Sequence, residues 1–391
     1  MKTLIELYDE RPIENVLASE VFRPERTVFL CPSEVMHDRT EQEKLRRYFR
    51  HRGLETELVF LESSLYNSEK ILRQLRSVRE KYPDCVLDIT GGTESALFAC
   101  GRLCAESDTP AFTYSRRRNA FFDIHNASFA ADLPCTVQHT VEDCFKMTGG
   151  SLRMGRVDNT ILDRYLADFD PFFRLYLRHR SEWTRTVNYI QRASASEKGV
   201  VAPLRIEAAY TVKGERGSRI DVPESVLFDL EKLGFLREVR ISREKVSFAF
   251  RDAQIRLWLR DIGSVLELFV YKACRDTGLF QEVRTSAVVD WEGVNERDSV
   301  SNEIDVMAMR GILPVFISCK TCEVSTEALN ELAILRDRFG GKGAKAAIVT
   351  SQRCRNVTRH RASELGIDVI DLDDLKGNRL RAQNEHLMQE E

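Results

Sequence analysis

The chain has 391 residues, more than the ~250–300 at which a single hydrophobic core stops growing, so two or three domains are expected. With 43% hydrophobic and 30% charged residues and only 10 prolines, its composition is globular and excludes collagen-like and disordered classes. Acidic and basic residues nearly cancel, 61 against 58 for a net charge of −3, so whole-molecule charge does not steer it to a polyanion and any such site must be local.

No apolar run approaches the ~20 residues of a membrane span, and the opening Met1 to Glu10 carries acids where an export signal needs an apolar stretch. Ten cysteines, mostly inside apolar runs such as Cys31, Cys85, Cys100, Cys104 and Cys274, fit buried thiols of a reducing compartment better than a disulfide framework. These features predict a soluble, cytoplasmic protein.

Short β-rich runs alternate with helical patterns through the first third. Thr3 to Leu7, Thr27 to Cys31, Glu55 to Phe60 and Cys85 to Ile89 read as strands. A basic amphipathic helix from Thr40 to Arg52, with Leu45, Tyr48 and Phe49 on its apolar side, and helices Asn67 to Tyr82 and Glu94 to Ala105 lie between and after them. Ala111 to Tyr114 and Ala120 to Ile124, separated by Arg116, Arg117 and Arg118, would complete a mostly parallel, doubly wound α/β sheet.

From about Val137 to Arg256 the pattern changes. Arg- and aromatic-rich helices (Ile161 to Phe169, Phe172 to Arg192) lead into a small, polar stretch at Ser194 to Gly199. Val222 to Leu233 reads as a helix opened by Pro223 and closed at Gly234, before two short strands, Leu236 to Ile241 and Lys245 to Phe250. Helix plus hairpin is compatible with a winged-helix end and equally with a plain connector. The final third opens with an apolar helix, Ser264 to Thr277. Extended segments follow at Glu282 to Trp291, Glu303 to Met309 and Leu313 to Ile317, then a helix from Thr326 to Arg338 and a Gly-rich turn. Ala346 to Thr350 and Asp368 to Leu372 read as strands flanking a helix from Asn356 to Leu365, and the tail after Lys376 is polar. The expected domains are 1–136, 137–256 and 257–391.

Two places carry chemistry. Asp88-Ile89-Thr90-Gly91-Gly92-Thr93-Glu94-Ser95 lies between the best buried strand and a strong helix. A glycine pair admits close backbone approach, the hydroxyls of Thr90, Thr93 and Ser95 can donate, and a helix N-terminus favours an anion. The alternative is a tight turn in which Thr93 merely caps the helix. The spacing is neither a Walker loop nor a dinucleotide fingerprint.

At the other end, Asp305 and Lys320 fall on adjacent strands, and Glu267 on a helix whose other faces carry Leu266, Leu268 and Phe269. Two carboxylates that can hold Mg²⁺ or Mn²⁺ and a lysine that steadies developing charge suit metal-assisted phosphodiester hydrolysis.

Together these residues resemble the CARF-domain nucleases, ring-nucleotide-activated effectors of type III CRISPR systems. Leu4 to Asp9 and Asp88 to Thr93 are similar to the CARF half, and Gly263 to Glu267, Glu303 to Val306 and Ile317 to Lys320 to a PD-(D/E)xK core. The resemblance implies an N-terminal Rossmann-like CARF domain, a helical or winged-helix-like connector and a C-terminal restriction-endonuclease-like domain. It implies a homodimer binding cyclic oligoadenylate, chiefly cyclic tetra-adenylate, and metal-dependent cleavage of DNA, RNA or both in antiviral defence. Asp305, Glu267 and Lys320 would then be catalytic, with Glu267, Asp305 and the Cys319 carbonyl on the metal. Tyr8, Asp9, Thr90, Gly91, Gly92, Thr93, Ser95 and Arg116 would bind the activator. One position departs: Ser318 stands where an acid is expected two residues before the lysine, and Glu323 is a nearby substitute.

Ser318 also motivates a rival reading, a ligand-responsive nucleic-acid-binding regulator with a degenerate nuclease domain, although Glu224, Asp229 and Glu231 make its candidate reading helix acidic. A third reading is degradation of the activator in the sensor pocket. Cys319-x-x-Cys322 lacks the second pair a closed zinc site needs. Arg174, Arg178, Arg180 and Arg185 interleave with Phe173, Tyr176 and Trp183. That is either a stacking surface for a nucleic-acid strand or an amphipathic helix whose aromatics face a core.

Overall fold

The computed structural model describes residues 1–153, 155, 157–195, 203–293, 300–341 and 343–376. β1 (Thr3–Leu7), β2 (Arg26–Cys31), β3 (Glu57–Glu62), β4 (Cys85–Asp88) and β5 (Ala111–Ser115) are parallel, and β6 (Ala120–His125) and β7 (Leu133–Pro134) extend the sheet antiparallel. The order is β3-β2-β1-β4-β5-β6-β7. This is the doubly wound, Rossmann-like arrangement the sequence predicted. Its order reverses between β1 and β4, where such sheets open a crevice at the carboxyl ends of their strands. β1 is buried along its length because helices cover both faces. Helix Arg39–His51 starts where the Asp38 side chain accepts the Thr40 N–H, and it buries Leu45, Tyr48 and Phe49 as its periodicity dictated.

The middle of the chain divides its allegiance. Helix Val141–Met147, held by a capping box between Thr140 and Asp143, leads into β8 (Ser151–Arg153), which pairs with a strand of the last sheet. A segment placed by sequence in the connector is therefore, in space, the edge of the C-terminal sheet. Helices Leu166–Arg178 and Arg180–Ala193 follow, with Phe173, Tyr176 and Trp183 buried. Their aromatics face a core, so the stacking-surface reading of that run falls. β9 (Arg205–Ala209) joins β12 (Leu236–Ile241) and β13 (Lys245–Phe250) in a three-stranded sheet beside helix Glu224–Lys232, and β10 (Thr211–Lys213) and β11 (Arg219–Asp221) form a separate hairpin. Most of the small stretch from Ser194 to Gly199, like the tail after Lys376, lies outside the described residues.

β14 (Glu282–Asp290), β15 (Ser301–Arg310) and β16 (Leu313–Lys320) form an antiparallel meander, and β17 (Lys345–Thr350) and β18 (Ile367–Ile370) continue it parallel. The order is β18-β17-β16-β15-β14-β8. Helices Ser264–Asp276 and Thr326–Leu335 contact this sheet, and the two sit in separate cores that both draw on its strands. The first of these cores is shared: Phe169, Phe172, Phe173, Tyr176 and Trp183 of the connector cluster with Leu266, Val270 and Tyr271 and with Val306, Ile317 and Val349 of the sheet. Phe173 stacks on Phe269 with ring centroids 3.8 Å apart.

The connector and the last sheet therefore stabilise each other. Phe173→Ala is expected to cost about 3–5 kcal/mol, the usual loss for a buried aromatic. Calorimetry should show the transition containing the C-terminal sheet lowered, with the N-terminal sheet little affected.

Candidate active site and ligand cleft

The ladder between β15 and β16 pairs Arg310 with Leu313 and continues to Val306 with Ile317. One residue further, Asp305 Oδ2 accepts the Cys319 N–H at 2.6 Å and the Ser318 hydroxyl at 3.1 Å. The carboxylate thus satisfies a backbone donor that the ladder no longer reaches. Lys320 Nζ stands 3.7 Å from the same oxygen. Burial pushes the Asp305 carboxyl above its ordinary range, and Lys320, the Cys319 N–H and the Ser318 hydroxyl pull it back. Ser318, at the position expected to be acidic, is a donor that orients Asp305.

Glu267 arrives from helix Ser264–Asp276. Asp261 Oδ1 accepts the N–H groups of Gly263 and Ser264, fixing the start of the helix and placing Glu267 in its first turn. The Glu267 carboxylate lies over Gly263, where a Cβ would meet its Oε1 at 2.6 Å, so a side chain there would displace the carboxylate. Cys319 is buried at the centre. Its thiol is pushed far up by burial, then by the Asp305 and Glu267 carboxylates, with Lys320 opposing. Glu267, Asp305 and Lys320 are therefore brought together around Cys319. That thiol stays protonated, so any contribution of Cys319 to a cation comes from its carbonyl.

Two neighbours were missed by sequence reasoning. Glu303, two residues before Asp305, accepts the Ser286 hydroxyl at 2.5 Å and adds to the upward push on Asp305. Ser286 is buried in β14 with φ of +53°, a left-handed conformation rare for a non-glycine residue in a strand. The i, i+2 spacing of Glu303 and Asp305 was the available signal. Glu323, the nearby substitute for Ser318, is instead paired with Arg355.

Among the described residues no group of three His, Cys, Asp or Glu side chains could enclose a metal. Two carboxylates and a backbone carbonyl fit a hard cation that keeps most of its water, as Mg²⁺ and Mn²⁺ do, and not a closed centre.

At the N-terminal sheet, the glycine loop after β4 meets the loop after β1. Asp9 Oδ2 accepts the Gly92 N–H at 3.1 Å, and Arg11 grips both Asp9 oxygens at 2.7 and 2.6 Å. A Cβ at Gly91 would meet Asp9 at 3.0 Å, and one at Gly92, whose φ is +91°, would meet Leu7 at 2.8 Å. The glycines thus let two protein loops approach each other. The hydroxyls are also engaged: Thr93 with Leu65 O at 2.6 Å, Ser95 with Tyr66 O at 3.2 Å, and Thr90 as acceptor from Tyr114 N at 2.8 Å. Thr93 is the helix cap as well.

Beside this loop, Pro32 to Glu34, Glu62 to Tyr66, Lys70 and Gln74 line an open cleft of about 510 Å³. Tyr8 lies between it and a second cleft of about 250 Å³ that reaches Arg338 and Gly341 of the last domain. Arg116 is elsewhere. Its guanidinium bonds buried Glu14 at 2.8 Å, and a Cβ at Gly343 would lie 3.4 Å from it, so it sits at the seam between the first and last sheets.

With this geometry in view, comparison with known proteins defines the class of the C-terminal part. Residues 255–388 match the family model described as "Card1-like, endonuclease domain". Among solved structures, protein VC1899 from Vibrio cholerae is similar at 18% identity and a TM-score of 0.77, over 99% of this chain and 98% of that one. Can2 from Sulfobacillus thermosulfidooxidans, solved with cyclic tetra-adenylate, is similar at 17% identity and a TM-score of 0.72, over the whole of both chains. No curated protein matches. These likenesses extend over the whole fold, a Rossmann-like domain followed by a part that matches an endonuclease-domain family model.

Asp88, at the root of the glycine loop, is buried, and burial pushes its carboxyl up to about 7 despite the Thr90 N–H. Glu6 beside it is raised for the same reason and by Asp88 itself. The native chain therefore holds protons that the unfolded chain releases in the ordinary carboxylate range. The stability that these two groups contribute is fully present below that range and is lost as pH climbs to about 7. Asp88→Asn should shrink this fall, so that urea unfolding shows the variant gaining on the parent protein between pH 4 and pH 7.

Proposed function

We propose that the chain is a metal-dependent endonuclease that cuts nucleic-acid phosphodiester bonds when a cyclic oligoadenylate, cyclic tetra-adenylate first, binds its N-terminal domain in a type III CRISPR response. The observation that carries the reading is the convergence of Asp305, Glu267 and Lys320 inside a segment matching an endonuclease family model. The likeness in fold to Can2, which was solved with cyclic tetra-adenylate, supports the choice of activator.

In this reading Asp305, Glu267 and the Cys319 carbonyl hold Mg²⁺ or Mn²⁺, which when bound polarises a phosphate and acidifies water. Ser318 and the Cys319 N–H fix which Asp305 oxygen is turned outward. Lys320 supplies a cation where charge develops on the phosphate. The activator lies at the carboxyl ends of β1 to β4, against Tyr8, Asp9 and the Thr90–Ser95 loop. Arg116 acts in the seam and not on the ligand.

Helix Glu94–Ser107 leaves Phe98 62% exposed and Leu97 37% exposed beside Tyr66 at 81%, and a Cβ at Gly101 would meet nothing within 4 Å. An apolar patch next to the ligand loop supports a homodimer closing over one activator, as the resemblance implies. The seam through Glu14, Arg116 and Gly343 is a direct mechanical link to the nuclease part. For a switch of ordinary stringency, the ligand must favour the active arrangement by about 1–3 kcal/mol.

The test is incubation with plasmid and with single-stranded DNA and RNA in Mn²⁺, with and without cyclic tetra-adenylate. Cutting is expected only with activator, and Asp305→Ala and Lys320→Ala should each reduce it by about 100-fold or more. Phe98→Glu should give monomers by light scattering and lose activation. Activator binding without cutting of any substrate would instead favour the regulator reading motivated by Ser318.

A further inference from the structure

Of the four arginines on the two connector helices, three have ordinary surface settings. Arg178 is paired with Asp229 at 3.3 Å, Arg185 lies 3.8 Å from Glu182, and Arg174 is exposed. Arg180 differs. It is half-buried, and among the described residues its guanidinium makes one bond, from Nη1 to the Ser351 carbonyl at 2.7 Å, with no carboxylate partner. Arginines drawn into a protein are ordinarily paired, because a desolvated cation is costly.

Its place explains what could pair with it. Ser351 follows β17, and its N–H donates to the Lys320 carbonyl at 3.1 Å, so the guanidinium is anchored one hydrogen-bonded residue from Lys320. Ser351 is itself held by the buried Tyr176 hydroxyl. One helical turn on, Trp183 Nε1 donates to the Ile262 carbonyl at 3.2 Å, next to Gly263, over which the Glu267 carboxylate lies. The start of helix Arg180–Ala193 is thereby pinned to both walls of the site, the Lys320 end of β16 and the entry to the Glu267 helix. Arg180 has five N–H donors in a planar fork and uses one.

We propose that Arg180 is a substrate-binding residue of the nuclease centre, taking a backbone phosphate of the nucleic acid next to the one attacked between Asp305 and Lys320. The inference rests on the nuclease reading and adds to it: the connector contributes to the substrate site, so the site is complete only when the connector is docked. A bidentate arginine–phosphate contact supplies the missing partner and fixes the strand's register against the metal-binding carboxylates.

The experiment measures binding of labelled DNA and RNA oligonucleotides to the full chain with cyclic tetra-adenylate and Ca²⁺, by fluorescence anisotropy over a salt series. Arg180→Gln should weaken binding about tenfold and reduce the salt slope by about one. Arg178→Gln, two residues away, should change neither. Arg180→Lys, which keeps the charge and loses the fork, should restore the slope but only part of the affinity, and in Mn²⁺ both Arg180 variants should raise KM more than they lower kcat. Unchanged affinity and slope in Arg180→Gln, or an equal loss in Arg178→Gln, would overturn the inference while the parent protein's activator-dependent cutting leaves the nuclease reading standing. A parent protein that neither binds nor cuts nucleic acid would remove both.

Discussion

The hydrogen bond from the Cys319 N–H to the Asp305 carboxylate is the contact around which the C-terminal part is organised. A strand edge that loses its backbone partner must be satisfied by something else, and a side-chain acceptor does so here. The substitution has two effects. It keeps β15 and β16 together beyond Val306 and Ile317, and it holds a carboxylate, against its own desolvation, where Lys320 and the Glu267 helix converge. Structural and chemical roles fall on one oxygen atom, which is why a serine at 318 is compatible with an ordered site: its hydroxyl adds a second donor to that oxygen.

The helix carrying Glu267 is set in turn by the core it shares with the connector. Phe173 on Phe269 and Trp183 on the Ile262 carbonyl fix that helix against Leu166–Arg178 and Arg180–Ala193. The connector therefore packs against the helix that carries Glu267 as well as being a covalent link. On its other side, the first and last sheets meet through buried polar contacts. Tyr48, Glu20 and His139 are mutually bonded, His139 N–H donates to Gly311, and Ile312 from the β15–β16 turn enters the N-terminal core. Buried, mutually satisfied polar groups tolerate few alternative arrangements, so the first and last sheets are held in a defined relation.

Much of the architecture was legible in the chain. Alternating β-rich runs and amphipathic helices specified the first sheet, since a strand between two helix layers must be apolar on both faces. The closeness of Asp305 and Lys320 was also legible, because they fall on adjacent strands of one hairpin. The glycine loop was legible only in part. Gly91 and Gly92 announced a close approach, but their partners are Asp9 and Leu7, residues more than 80 positions away that no local spacing reveals. The surroundings of Arg116 were hidden for the same reason: a cation after a strand end has no address until the fold supplies Glu14 and Gly343.

The sequence by itself determined the two α/β units, their order and the placing of Asp305 and Lys320 on adjacent strands, because these depend on periodicity and on chemistry carried by short segments. Tertiary structure alone decided that β8 belongs to the last sheet, that the arginine-rich helices turn their aromatics inward, and that Arg180, of four similar arginines, bonds the Ser351 carbonyl after β17. Those outcomes depend on which distant surfaces meet. Desolvation and pairing are settled by contacts across the whole chain, and neighbours in sequence do not fix them.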